Sequence, residues 1–238
     1  MSFQQSPGAG QDARKIGLQV TSYFRTRLAA FIMTLVVVAG QTWVARMINL
    51  DPVWALPLIS GVMLVFSILA HSGSHVKPSK AARALSVAVV VLLTAVNLIC
   101  VGWFIYDMLN PETVTISHEL LLVGFAMWVV NIGVFSLAYW ELDTGGPEVR
   151  ALGLTAASGN KNHPDFVFAQ QVSSDLQLAP DDWAPGFLDY LYLSFTTATS
   201  FSPSEPTPYT RMAKMLVGSE ALISLFILGL IITRAISL

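Results

Sequence analysis

The chain has 238 residues, of which 54% are hydrophobic and only 12% are charged, with a formal net charge of −2 at pH 7. Soluble globular domains carry roughly 25% charged residues, so the composition excludes that class and predicts an all-α integral membrane helical bundle. We expect membrane lipid around it and no nucleic acid as a partner, since the sequence has no basic patch.

The first 26 residues are polar and then basic, and we expect them to form a cytoplasmic tail. They do not form a cleavable signal peptide, because the polar lead is long and the apolar run after it lacks a small-residue cleavage pattern. Residues 16–24, IGLQVTSYF, are compatible with a short interfacial helix or with a disordered tail.

Residues 27–143 contain four apolar runs long enough to cross a bilayer, which takes about 20 residues. The predicted spans are 28–45, 53–70, 82–106 and 116–140. Lysine and arginine residues near the span ends are concentrated in the tail and in the link at 71–80. Positive-inside bias therefore predicts a multi-pass protein of the cell membrane with its N-terminus in the cytoplasm.

Polar side chains within or beside these spans have few chemical roles open to them. His71 and His75 are four residues apart, but no Cys, Asp or Glu is adjacent, so we expect no metal site. Asn97 and Asn131 either line a polar path or, as we favour, form hydrogen bonds between helices. Cys100 is expected to pack as a small apolar side chain. Without a nucleophile–base pair or a phosphate loop, we expect neither enzyme activity nor a cofactor.

Residues 144–185 form the long segment without a predicted span, and its acidic residues outnumber its basic ones. We favour a solvated loop; the alternative is an acidic vestibule that concentrates cations near a pore. The run FVF, residues 166–168, is expected to tuck against protein or lipid headgroups. The acidic residues are Glu148, Asp165, Asp175, Asp181 and Asp182.

The stretch 189–208, DYLYLSFTTATSFSPSEPTP, begins as an apolar helix, which we expect over residues 187–195, and ends in hydroxyl groups and prolines. It is too short and too polar to be an ordinary span. Non-helical backbone at membrane depth is tolerated only where protein buries it or water lines it, so we expect a pore or a binding site. The pore or filter-like candidates are Thr196, Thr197, Ala198, Thr199, Ser200, Phe201 and Ser202.

This stretch resembles the pore of potassium channels, where a short helix precedes a Thr-Thr-Val-Gly-Tyr-Gly-Asp filter and a basic residue opens the inner helix. Here the run Thr196 to Ser202 and a proline-rich loop precede Arg211, and the spacing matches without a gap. The resemblance covers residues 186–238, a pore-like module, and lacks the central glycines. It implies a homo-oligomeric pore, with a tetramer favoured because one copy supplies one pore loop.

A second resemblance covers most of the chain. The segment DYLYLSFTTATSFSP, together with WELDTGG at residues 140–146, is similar to the sequences of an uncharacterised family of small bacterial multi-span membrane proteins.

The last span is expected over residues 209–236, with Thr207-Pro208 as its cap and first-turn pair. Glu220 lies inside it, and Ser224 lies one turn further on the same face. A carboxylate at that depth is costly, so we expect Glu220 to face a polar path or partner and not lipid. Glu220 and Ser224 are therefore pore-lining candidates; the alternative pairs Glu220 with a base such as Lys214.

The predicted architecture is four spans, a short re-entrant pore-type helix and a final span. If the pore stretch instead crosses the membrane, the chain has six spans and its C-terminus is in the cytoplasm. With the N-terminus inside, the pore stretch enters from the cytoplasmic side, inverted relative to potassium channels, as glutamate-receptor pores are by resemblance. Thr199 and Phe201 stand where filter glycines would be, and neither suits positive φ, so we expect weakly selective conduction of monovalent cations. The alternatives are a secondary transporter with a broken-helix site and a non-conducting scaffold or accessory subunit.

Overall fold

The computed structural model describes residues 7–50, 58–59, 61–62, 80–109, 117–151, 164–172, 183–199 and 206–236. These residues are mostly helical. The helices are α1 (Pro7–Met47), α2 (Lys80–Leu109), α3 (Ser117–Leu142), α4 (Pro147–Ala151), α5 (Ala169–Val172), α6 (Phe187–Ala198) and α7 (Arg211–Ile236). A 3-10 turn at Asp143–Gly145 follows α3, and strands β1 (Phe166–Val167) and β2 (Thr207–Pro208) form an antiparallel pair.

Within the described residues, four segments are long and apolar enough to cross a membrane: Arg27–Met47, Arg83–Asp107, Glu119–Gly145 and Arg211–Ile236. They coincide with the first, third, fourth and last predicted spans, and they are compatible with a multi-pass membrane protein. The second predicted span, 53–70, lies outside the described residues except for helical residues at 58–59 and 61–62.

Helix α1 begins at Pro7, well before its apolar part, so residues 7–26 continue directly into the first candidate span. From Pro7 on, the basic N-terminal segment is therefore part of α1 and forms neither a separate interfacial helix nor a disordered tail. Its cytoplasmic location remains a prediction.

Helix α3 lies at the centre of the bundle, with α1, α2, α6 and α7 packed around it. Of its span-like segment, 67% is buried, against 17% for α7. Glycines let α1 approach α3 closely: a Cβ at Gly40 would lie 2.6 Å from Val130, and one at Gly133 would lie 2.6 Å from Val37. Small residues at such contacts are typical of helix packing in membranes.

Helices α6 and α7 both begin at the end of the bundle where α3 ends. The ring of Phe187, at the start of α6, lies 6.0 Å from that of Trp140 near the end of α3. Helix α6 then runs inward until the carbonyl of Ala198 accepts a hydrogen bond of 3.4 Å from the Trp128 indole. Trp128 lies about 18 Å along α3 from Trp140, at 1.5 Å per residue. The chain returns to its starting end, where the side chain of Thr210 bonds to Asp165.

The start of the last helix differs from the prediction. Thr207 and Pro208 are not a cap and first turn but strand β2, paired with β1. The amide of Tyr209 donates to the carbonyl of Asp165 over 2.8 Å, which keeps this segment extended. Thr210 is the cap instead, because its Oγ1 accepts a 3.2 Å hydrogen bond from the amide of Ala213 in the first turn of α7.

Candidate functional site

The side chain of Glu220 on α7 is fully buried in the bundle. One carboxyl oxygen accepts a hydrogen bond from Ser194 on α6, and the other accepts one from the phenol of Tyr139 on α3. The prediction that Glu220 meets polar partners and not lipid is confirmed. The alternative partner, Lys214, is wrong, because two hydroxyl groups fill that role.

The Ser194 hydroxyl has one hydrogen and two acceptors within reach. Its Oγ lies 2.8 Å from the carbonyl of Ile132 as well as beside Glu220. Ionised Glu220 accepts the hydroxyl hydrogen, whereas protonated Glu220 can donate to Ser194 and turn that hydrogen towards Ile132. The site can therefore hold the carboxyl in either protonation state without leaving a polar atom unpaired.

A second polar group lies beside it and joins α2, α3 and α7. The amide of Asn97 donates to Asn131 over 2.7 Å, and the amide of Asn131 donates to the hydroxyl of Ser224 over 3.0 Å. The interpretation of both asparagines as interhelical hydrogen-bonding residues is confirmed. Ser224 is one turn from Glu220 on the same buried face.

These two groups together form the interior polar network: Asn97, Asn131, Ser224, Glu220, Ser194 and Tyr139. All six side chains are buried inside one chain and find partners there. The pore-lining role expected of Glu220 and Ser224 stays a prediction.

The filter-like residues follow directly along α6. Thr196, Thr197 and Ala198 form its last turn and Thr199 caps it, so the helix ends later than Phe195, its predicted end. The other three filter-like candidates, Ser200, Phe201 and Ser202, lie outside the described residues.

The threonine hydroxyls of that turn have different surroundings. Thr196 Oγ1 donates back to carbonyls of its own helix, 2.9 Å from Tyr192 and 3.0 Å from Leu193. Thr199 does the same towards Phe195, at 3.0 Å. The hydroxyl of Thr197 is buried and has no hydrogen-bond partner in the part of the chain that the structure describes.

A second polar centre forms where α3 ends, around the buried carboxylate of Asp143. Its Oδ1 accepts from the Thr144 hydroxyl at 2.9 Å and from the amides of Asp165 at 2.9 Å and Phe166 at 3.3 Å. Its Oδ2 accepts from the phenol of Tyr190 at 2.5 Å. One carboxylate thus fastens the end of α3 to β1 and to the first turn of α6.

Arg150 on α4 closes this centre from the other side. Its guanidinium donates to the carbonyls of Asp143 at 2.5 Å and Trp140 at 2.7 Å, where a basic side chain satisfies acceptors at the end of a helix. It also lies 5.1 Å from the ring centroid of Tyr190. Burial raises the pKa of the Tyr190 phenol well above its ordinary value, with a smaller opposing effect of Arg150. The phenol therefore stays protonated and remains a donor to Asp143.

Asp165 links this centre to the start of α7. Its side chain accepts from the amide of Thr144 at 3.1 Å and from the hydroxyl of Thr210 at 2.5 Å. Glu148, another acidic residue of the predicted loop, pairs with Arg27 at 2.9 Å. These two acids bond to the protein itself. The vestibule residues Asp175, Asp181 and Asp182 lie outside the described residues.

The FVF run packs into the protein, as predicted. Phe166 and Phe168 are buried. The ring of Phe166 lies 5.1 Å from that of Tyr139, and the ring of Phe168 lies 5.4 Å from that of Tyr190 and 5.8 Å from that of Trp183.

The sequence does not single out the Asp143 centre as a site, although Asp143 lies in the segment WELDTGG, which carries the second resemblance. A local signal exists: an acidic residue ends an apolar run and is followed by Thr144 and then by two consecutive glycines. Thr144, Gly145 and Gly146 all have positive φ, at 54°, 80° and 105°, so the chain reverses sharply there.

No protein-family model, curated protein sequence or solved structure matches this chain. The fold and the site define a mostly helical chain that is compatible with a multi-pass membrane protein. One face of its short helix α6 packs against α3 and α7. Among the described residues, no group of three or more His, Cys, Asp or Glu side chains is placed to hold a metal ion.

Proposed function

We propose that this protein is a channel-like protein of the cell membrane, in which several copies form a pore for monovalent cations with weak selectivity. The observation that carries the proposal is the path of α6, which enters the bundle and is followed by a return to the same end. In this proposal α6 is a re-entrant pore-type helix.

The length of α6 supports re-entry. Its twelve residues span about 18 Å, which is well short of a hydrocarbon core of about 30 Å. One face of the helix is shielded by α3 and α7 and anchored at depth by the bond between Ser194 and Glu220, while Leu188, Tyr192 and Phe195 on the other face are exposed. Such shielding is the condition under which a chain can break its helix inside a membrane.

The distribution of basic residues supports a cytoplasmic N-terminus. Most of them in the described residues lie at the end where α3 ends and α6 and α7 begin, and the positive-inside bias assigns that end to the cytoplasm. They are Arg27, Lys80, Arg83, Arg150, Arg211 and Lys214. In this orientation α6 enters from the cytoplasmic side.

The hydroxyl of Thr197 supports a polar path at the inner end of α6. Buried polar atoms in proteins nearly always have a hydrogen-bond partner, so one without a partner calls for an explanation such as water or an ion. Because this hydroxyl is buried within one chain, a water or ion that meets it would lie inside the protein, at the inner end of α6. Thr199 and Phe201 stand at the positions where a potassium-type filter has glycines, which argues against such a filter here.

Purified protein in planar bilayers under opposing sodium and potassium gradients tests the proposal. We expect currents that reverse near zero potential, and a larger leak in Phe201→Ala, because a bulky side chain in the stretch is removed. Phe125→Ala is the matched control, since Phe125 is an exposed side chain on the outer face of α3. Reversal at the potassium limit would contradict weak selectivity, and silence of parent and Phe201→Ala alike would favour the scaffold alternative.

One observation favours a second candidate, a secondary transporter. Glu220 is a buried carboxyl group that can keep or lose a proton while three helices remain joined, as proton-coupled transporters require. A transporter has its substrate site within each copy, whereas the proposed pore needs several copies, so particles of one chain in detergent would favour the transporter over the pore.

A further inference from the structure

Glu220 has no basic partner in the part of the chain that the structure describes. Its side chain is fully buried, and its two oxygens bond to the hydroxyl groups of Ser194 and Tyr139. On its own helix the nearest base in sequence is Lys214, which is six residues earlier and exposed. The groups that face Glu220 from α6 and α3 are therefore one alcohol and one phenol, neither of which supplies a positive charge.

The two other buried acids of the described residues are placed differently. Glu141 pairs with Arg83 at 2.7 Å, and the carboxylate of Asp143 lies 3.9 Å from the guanidinium of Arg150. Among the described buried acids, a negative charge would thus be left without a base at Glu220 alone. An isolated carboxylate in an apolar interior is so costly that such a group takes up a proton instead.

The hydrogen-bond partners determine which oxygen of Glu220 can carry that proton. The phenol of Tyr139 donates to Oε2, so this oxygen has to remain an acceptor. Ser194 lies beside Oε1 and can accept there, because the carbonyl of Ile132, 2.8 Å from its Oγ, takes the hydrogen of its hydroxyl. With the proton on Oε1, the bond between Ser194 and Glu220 keeps its two oxygens and reverses its direction.

We propose that Glu220 is a proton-binding site, which holds one exchangeable proton per chain on Oε1 at neutral pH. On release the proton passes from Oε1 to water, and the hydroxyl hydrogen of Ser194 turns back from the carbonyl of Ile132 to Oε1. The inference goes beyond the proposed pore, because every contact that carries it lies within one chain. It holds for a pore and for a transporter alike.

Infrared spectroscopy of the full-length protein in detergent tests the site, because a protonated carboxyl group has a C=O stretching band that a carboxylate lacks. We expect this band in the parent at neutral pH and its loss in Glu220→Gln. Glutamine keeps the contacts, since its amide nitrogen donates to Ser194 and its oxygen accepts from Tyr139. The matched control is Glu141→Gln, which removes a buried acid that has a base and should keep the band. A parent without the band, or a Glu220→Gln protein that retains it, would overturn the inference.

Isotope labels test the site in the parent protein, without any substitution. Heavy carbon in the carboxyl groups of the glutamate side chains should lower the frequency of the band, and the same label in aspartate should not. In heavy water a deuteron should replace the proton on Oε1 and lower the frequency as well, because the site exchanges with solvent. A band that follows the aspartate label, or one that heavy water leaves in place, would overturn the inference.

The assignment of the proton to Oε1 has a test of its own. Tyr139→Phe removes the donor to Oε2, the carbonyl oxygen of the protonated group, and should raise the frequency of the band because the C=O bond becomes stiffer. Ser194→Ala leaves that carbonyl bonded to Tyr139 and should move the band less. The opposite order would put the proton on Oε2 and overturn the assignment.

These measurements fail separately from the proposed function. A band that Glu220→Gln removes, in a protein that passes no current, would keep the proton site and contradict the pore. Currents from a protein without the band would keep the pore and overturn the proton site.

Discussion

The hydroxyl of Ser194 donates to the carboxyl group of Glu220 and so joins the short helix α6 to α7 in the interior of the bundle. Tyr139 reaches the other oxygen of the same carboxyl group from α3. One side chain therefore holds three helices together. Because polar groups in an apolar interior are costly when unpaired, this arrangement is stabilising only while all three members are present.

Replacing Glu220 with leucine should destabilise the fold, since Tyr139 then loses its acceptor and Ser194 keeps only the carbonyl of Ile132. We expect the free energy of unfolding to fall by about 1–3 kcal/mol, as for other buried groups left unpaired. Glu220→Gln keeps one acceptor oxygen and should lose less. Thermal unfolding in detergent measures both.

The control for these variants is Ser219→Ala, because the exposed Ser219 hydroxyl only bonds back to the carbonyl of Met215 in its own helix. It should melt like the parent. A Glu220→Leu protein that melts like the parent would show that the carboxyl group does not hold the helices together.

Asn97 and Asn131 should show a measurable coupling energy in a double-mutant cycle with alanine. Hydrogen bonds between membrane helices contribute about 0.6 kcal/mol on average and up to about 1.7 kcal/mol in such cycles. Asn97 paired with Thr210, at the end of the bundle where α7 begins, should give a coupling near zero. Equal coupling in both cycles would contradict a direct bond between the asparagines.

The long helices could be predicted from the sequence, because the length of an apolar run determines which segments can cross a membrane. The spans at 28–45 and 82–106, for example, lie within α1 and α2. Helix α7 begins at Arg211 and not at the predicted Tyr209, since the sequence offers both Thr207-Pro208 and Thr210 as a cap. The choice between them depends on Asp165, which is 45 residues away from Thr210 in sequence.

The role of Asp143 could not be predicted from the sequence, for a related reason. Its partners include Thr144 next to it, but also Phe166 and Tyr190, which are 23 and 47 residues further along the chain. No local pattern reports such a convergence. Glu220 was easier to single out because a carboxyl group in an apolar helix is conspicuous by itself.

Asp143→Ala should be among the most damaging single substitutions, because it leaves the hydroxyls of Tyr190 and Thr144 without their shared acceptor. It also removes the carboxylate that lies 3.9 Å from the guanidinium of Arg150, although the backbone carbonyl to which Arg150 donates is kept. Removing one member of a buried charged group typically costs about 3–5 kcal/mol. Tyr190→Phe removes a single hydrogen bond and should cost about 0.5–1.5 kcal/mol. Melting temperatures in detergent compare the two, and a larger loss for Tyr190→Phe would contradict the central position of Asp143.

Gly146→Ala should destabilise the turn after α3 in two separable ways. A Cβ there would lie 2.0 Å from a guanidinium nitrogen of Arg83, which is held by the carbonyl and carboxylate of Glu141 at 2.6 and 2.7 Å. The φ of 105° at Gly146 is also strained for any other residue, by about 1–3 kcal/mol.

An Arg83→Ala background separates the two effects of Gly146→Ala, because it removes the clash and leaves the backbone strain. We expect the loss of stability caused by Gly146→Ala to be smaller there than in the parent but still present. An unchanged loss would show that Arg83 does not occupy this space.

Thr197→Val should make the protein more stable, which is unusual for a substitution at a buried position. Valine has nearly the shape of threonine, so packing is kept, and it removes a buried hydroxyl that has no partner among the described residues. Removing an unpaired buried polar group should raise the free energy of unfolding by about 1–3 kcal/mol.

Thr196→Val is the matched control one residue away. The hydroxyl of Thr196 already bonds to its own helix, so little change in stability is expected. A lower melting temperature for Thr197→Val would mean that the hydroxyl is already satisfied within the chain, and it would remove Thr197 from the proposed pore.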